Sequence, residues 1–280
     1  MAVFNRVTIV GLGLIGGSLG MAIRRKRLAR AIVGLSRSAA TVRRAARRGA
    51  ITAGTTHAAE AVREADLVIL ATPVDLIAPT GKRLARFMRP GAILTDVGST
   101  KTQLVGALER SLPAGIAFVG AHPLAGSELR GIEAADVGLF DGAVCVLTPT
   151  ARTDRRAQSQ LARLWGSLGC RVVTMSPQAH DRVLAGVSHL PHLIAFSLAG
   201  AASPAPLPAA PPSFLEMTRI AKSDPDLWDD ILLGNRAELL LAAGRFERRW
   251  RTLRALLARG DRAGLRRFLA DAKATRDALD

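Results

Sequence analysis

Val7-Thr8-Ile9-Val10-Gly11-Leu12-Gly13-Leu14-Ile15-Gly16 is the stretch that decides the fold. Val7 to Val10 read as a buried strand, and the residues from Leu14 to about Arg27 read as a helix. Between them the glycines fall at GxGxxG spacing. A strand before and a helix after is the context in which that spacing has a mechanism. Gly11 permits a tight turn, Gly13 lets backbone come close to a phosphate, and Gly16 lets helix and strand pack closely. The helix N-terminus then points its free N–H groups at the anion. Residues 7–23 are uncharged, but 17 residues with five glycines are a poor membrane span.

Outward from this turn, apolar runs alternate with amphipathic stretches. Residues 31–35, 67–71, 92–96, 117–120, 143–147 and 171–174 are predicted strands, and 41–48, 79–88 and 100–112 predicted helices. Leu67-Val68-Ile69-Leu70-Ala71 is apolar throughout, as a strand buried on both faces must be. The alternation predicts a doubly wound α/β domain with a mostly parallel sheet and a ligand crevice at the carboxyl ends of its strands. After Pro177 the periodicity is helical only, over 180–202, 226–259 and 261–279. Residues 203–213 hold five prolines and read as an extended loop. Two domains are expected, 1–174 and an all-α domain 175–280.

The 280 residues carry 39 Lys and Arg against 23 Asp and Glu, and no acid precedes Glu60. So basic a chain raises a nucleic-acid or membrane partner. Aromatics make up only 4% and Tyr is absent, so stacking platforms are scarce and neither partner is expected. Cys145 and Cys170 lack metal-ligand spacing and fit a reducing, cytoplasmic setting. No metal is expected.

The crevice motifs narrow the ligand. A dinucleotide suits the glycine turn, with Gly11, Gly13, Leu14, Ile15 and Gly16 at its phosphates and Thr72 and Pro73 beside it. The second strand ends in Ser36-Arg37, where a carboxylate for a ribose 2′-hydroxyl is usual. Ser36, Arg37 and Thr41 suit a 2′-phosphate instead, which makes NADP the expected cofactor and NAD the alternative. Ser99, in TDVGSTK (95–101), reads as a helix N-cap whose hydroxyl also faces the crevice. His122, in GAHPLAGSE (120–128), lies just past a strand, where a general base belongs. Ser188-His189-Leu190-Pro191-His192 reads as a polar pocket lining, because no third metal ligand stands at a recognisable spacing.

Taken together, GLGLIGGSL (11–19), TDVGSTK, GAHPLAGSE, His180-Asp181, SHLPH (188–192) and TRIAKSDPDLW (218–228) followed by Asn235 resemble the prephenate/arogenate dehydrogenase family. The resemblance runs in order over nearly the whole chain. It implies a Rossmann domain followed by a helical domain that forms a homodimer. It implies oxidative decarboxylation of prephenate, or of arogenate, on the route to tyrosine. It gives His122 and Ser99 the catalytic roles, and Arg219, His192, Ser188 and Glu128 the substrate pocket. A hydroxyacid or imine reductase would share the glycine turn but not HPLAGSE with SHLPH.

Overall fold

The computed structural model describes residues 3–127, 129–202 and 210–278. The α/β part runs β1 (Phe4–Val10), α1 (Leu14–Arg25), β2 (Ala29–Leu35), α2 (Ala39–Arg47), β3 (Ala53–Thr55), α3 (Ala58–Val62), β4 (Leu67–Leu70), α4 (Val74–Ala85) and β5 (Ile93–Asp96). It continues α5 (Thr102–Ser111), β6 (Ala117–Leu124), β7 (Val144–Thr148), α6 (Arg155–Ser167) and β8 (Arg171–Thr174). The eight strands form one sheet in the order β3-β2-β1-β4-β5-β6-β7-β8, parallel except where β6 meets β7. Strand order reverses at β1, which pairs with both β2 and β4. Such a reversal opens a crevice at the carboxyl ends of the strands.

Burial follows from alternation along each strand. Leu67 and Ile69 of β4 face a core with Leu19, Ile23, Leu161 and Trp165. Val68 and Leu70 face the opposite core with Ile77, Leu84, Leu104 and Leu108. Register then lines up the site. Val10 pairs with Leu35 and with Leu70, and Leu70 with Asp96, so the turns after β1, β2, β4 and β5 leave on one edge. β6 pairs with β5 as far as Val119, then runs on past the end of β5 and carries His122 over that edge.

The helical part holds α7 (Pro177–Leu184), a π turn (Ala185–His189), α8 (Leu190–Ala201), α9 (Pro212–Thr218) and a 3-10 turn (Arg219–Lys222). It ends with α10 (Pro225–Gly234), α11 (Arg236–Ala258) and α12 (Arg262–Asp277). It docks on the sheet domain through α7 on α5 and α10 on α4.

Three expectations change. The helix expected from Pro79 begins at Val74 and keeps Pro79 inside it; burial of Ile77 and Leu84 on one face outweighs the lost hydrogen bond. The apolar pattern predicts no helix between the strands 143–147 and 171–174, yet α6 supplies Leu161, Leu164 and Trp165 to the core as the crossover between β7 and β8. The single helix expected over 226–259 breaks at Asn235, whose side chain is needed elsewhere.

Candidate active site

Backbone makes the first part of the site. Gly11 has φ +94°, and a Cβ there would lie 2.4 Å from the Ala71 carbonyl oxygen. A Cβ on Gly16 would lie 1.9 Å from the Gly11 oxygen. Gly13 differs: a Cβ there would meet nothing within 4 Å. It caps α1 without a side chain, so the amides of the first turn open onto free space. Beside them the Thr72 hydroxyl is buried without a protein partner among the described residues. An open cradle of amides and an orphaned hydroxyl fit a dinucleotide pyrophosphate.

At the end of β2, the Ser36 hydroxyl accepts from the Ser38 amide at 3.3 Å, and the Ser38 hydroxyl accepts from the Thr41 amide at 3.3 Å. Thr41 receives a long 3.4 Å bond from Arg44. Arg44 and Arg48 lie 3.9 and 3.7 Å from Glu133, so part of the acid-free segment's charge is balanced from a distant loop. Arg37 is exposed and makes no ion pair among the described residues.

The second part is a buried polar seam between the two domains. Asp96 and Lys101 form an ion pair with both side chains fully buried. The Asp96 carboxylate also accepts from the Gly98 amide at 2.8 Å and from the Ala121 amide at 3.2 Å. One carboxylate thus folds the loop carrying Ser99 and fixes the strand residue next to His122. Ser99 itself is not a helix N-cap. The first helical residue is Thr102, and the acceptor at that terminus is Asp181 of α7, which takes the Lys101 and Thr102 amides at 2.9 and 2.7 Å. A carboxylate outcompetes a hydroxyl at a helix N-terminus because it also meets the helix dipole. The half-buried Ser99 hydroxyl makes no hydrogen bond among the described residues.

His122 Nδ1 lies 2.9 Å from His180 Nε2, and His180 Nδ1 lies 2.8 Å from Asp181 Oδ1. Burial first, then His180, Lys101 and His189, hold His122 well below the ordinary histidine range. Burial pushes Asp181 up, but the bonds from His180, Thr102 and Lys101 prevail and keep it low. An ionised Asp181 makes His180 donate from Nδ1. His180 Nε2 then accepts from His122 Nδ1, and the lone pair of His122 is left on Nε2.

The third part lies at the helical wall. Asn235 Nδ2 donates to the Asp181 carbonyl at 2.7 Å and to His189 Nδ1 at 3.0 Å. Burial pushes His189 down to about 4. His192 Nδ1 donates to the Ser188 carbonyl at 2.9 Å, and its ring stacks on Trp228 with centroids 3.5 Å apart. Burial lowers His192, the Ser188 carbonyl opposes this, and Arg219 lowers it further, which places Arg219 within electrostatic reach. Glu128 lies outside the described residues. The structure thus adds His180, Asp181, Lys101, Asp96 and Asn235 to the residues expected at the site.

The chain matches the family model described as prephenate dehydrogenase, nucleotide-binding domain, over residues 19–174. It matches the prephenate dehydrogenase dimerization domain over residues 176–271. It is 36% identical to a prephenate dehydrogenase of Bacillus subtilis, over 98% of this chain and 76% of the relative. Among solved structures it is similar to prephenate dehydrogenase from Aquifex aeolicus in complex with hydroxyphenyl propionate and NAD+. That match has a TM-score of 0.91 and 35% identity, and covers 99% of this chain and 98% of the other. It is also similar to Synechocystis arogenate dehydrogenase, with a TM-score of 0.85 and 30% identity, covering 98% of this chain and 100% of the other.

Proposed function

The chain belongs to the prephenate dehydrogenase family, and on that premise we propose that it oxidatively decarboxylates prephenate to 4-hydroxyphenylpyruvate, on the route to tyrosine. The observation that carries this is a buried imidazole on the part of β6 that runs past the end of β5, with Nδ1 engaged by His180 and Nε2 left as its free nitrogen. NAD(P)+ held by Gly11, Gly13, Leu14, Ile15, Gly16, Thr72 and Pro73 would accept hydride from the ring carbon that bears the hydroxyl. His122 Nε2 accepts the hydroxyl proton, and a base kept neutral by burial is ready for it at physiological pH. Ser99 orients the hydroxyl. Arg219 takes a substrate carboxylate, with Ser188 and His192 beside it, and Glu128 closes the pocket. As the ring becomes aromatic the other carboxylate leaves as CO2.

A second reading, arogenate, rests on His192. With Nδ1–H given to Ser188, the neutral ring offers only an acceptor. Arogenate carries an ammonium donor where prephenate carries a keto oxygen. For the cofactor, the exposed Arg37 after β2 supports NADP over NAD. Val187, Leu233, Leu240, Leu241 and Trp250 of the helical part are exposed apolar residues of the kind a homodimer would bury. The two free thiols, Cys145 and Cys170, suit the cytoplasm.

The deciding experiment follows NADPH and NADH formation with prephenate and arogenate in parallel. Reduction of cofactor with release of CO2 is expected. No reduction with either substrate would overturn the reading.

A further inference from the structure

Behind His122 the buried polar groups form a line rather than a cluster. His122, His180 and Asp181 follow one another at 2.9 and 2.8 Å, and Asp181 ends the line on the backbone amides of Lys101 and Thr102 at the start of α5. His180 is fully buried and Asp181 nearly so. The other charged or titratable groups facing the line are Lys101, paired to Asp96, and His189 from the π turn. Lys101 opposes positive charge on His122. One step further along, His180 has a carboxylate in contact, so a proton held there is compensated.

We propose that His180 is a positioning residue that also holds the abstracted proton. The substrate O–H bond breaks as His122 Nε2–H forms. The Nδ1 proton of His122 passes to His180 Nε2. His122 is left neutral, and the positive charge rests on His180 against Asp181. One proton enters the line and none leaves it until product departs, when it returns to solvent by the same path. The inference rests on the reading of His122 as the base for the substrate hydroxyl.

Two measurements test it. The first is 15N imidazole NMR on the unliganded protein, whose five histidines keep the spectrum simple. His122 protonated on Nδ1 and bare on Nε2 is expected; the opposite tautomer overturns the proposal. The second is His180→Gln, whose amide oxygen still accepts from His122 but cannot take a proton. Its kcat should fall by about 10²-fold with KM unchanged. The acid limb of kcat/KM should move, because His180 no longer bears on His122. An unchanged kcat overturns the proposal, and so does a lower kcat with an unmoved acid limb, which is what a packing role would give. Melting temperature and cofactor binding establish that the variant is folded; if it is not, the tautomer decides. Failure of the oxidative reading itself would show separately, as an unmodified enzyme that reduces no cofactor with prephenate or arogenate.

Discussion

The edge after β1 and the helical wall opposite it bind by different means. At the edge the surface is backbone: amides exposed because Gly13 has no side chain, in a turn that only Gly11 and Gly16 permit. At the wall it is side chains, each held by another: His122 by His180, His180 by Asp181, His189 by Asn235, His192 by Ser188 and Trp228. A backbone cradle is rigid and indifferent to pH. A hydrogen-bonded line of imidazoles sets tautomers, and it depends on every member being in its right protonation state. The first kind of surface suits a cofactor that must be gripped by its phosphates. The second suits a reaction in which a proton moves.

The largest effect that separates the two is expected from His122→Asn. The amide retains a donor toward His180 but has no basic nitrogen for the substrate. We expect kcat to fall by about 10²- to 10⁴-fold, while dinucleotide affinity, measured by fluorescence titration, stays at the unmodified value. Loss of cofactor affinity would break the comparison, because it would mean that the line of side chains also shapes the cradle.

The same difference explains what was legible in the sequence. Glycines that open a turn stand next to each other in the chain, so Gly11, Gly13 and Gly16 announce the cradle. The alternation of apolar runs announces the sheet, and β4 and β8 fall where the runs are. The seam is assembled from distant segments: Asp181 reaches Lys101 across 80 residues, and Asn235 reaches Asp181 across 54. No local spacing encodes those contacts. What the sequence does show is a His-Asp pair at 180–181, an Asp and a Lys five residues apart in TDVGSTK, and one Asn inside a helical pattern. Ser99 illustrates the limit. Local rules assign it the helix cap, and a carboxylate arriving from the other domain takes that place.

A smaller effect separates the halves by pH. His189 is held at about 4, against an ordinary value of 6.5. Between those values the unfolded chain binds a proton that the folded one does not. The stability from this group is therefore complete above 6.5 and is lost as pH falls toward 4, about 3 kcal/mol in all. Thermal unfolding followed from pH 7.5 to 4.5 should show a falling melting temperature, and His189→Gln should flatten that slope. An equally steep slope in the variant would place the acid sensitivity elsewhere in the molecule.

The smallest effect belongs to the cradle half alone. Arg37 is exposed at the end of β2 beside Ser36, and nothing acidic precedes Glu60 in the chain. A guanidinium there meets a 2′-phosphate with a charge-assisted pair, whereas a carboxylate accepts from a 2′-hydroxyl and repels the phosphate. Arg37→Asp should therefore change the ratio of kcat/KM for NADP over NAD by about tenfold toward NAD, some 1.4 kcal/mol. Arg37 is exposed and makes no ion pair among the described residues, so no ion pair is lost with it, and the melting temperature should hold. KM for the cyclohexadienyl substrate should hold as well, because among the described residues no hydrogen bond or ion pair joins the wall to this turn. If the ratio does not move, the cradle selects its cofactor by backbone shape alone, and the acid-free segment is surface charge without a role in the site.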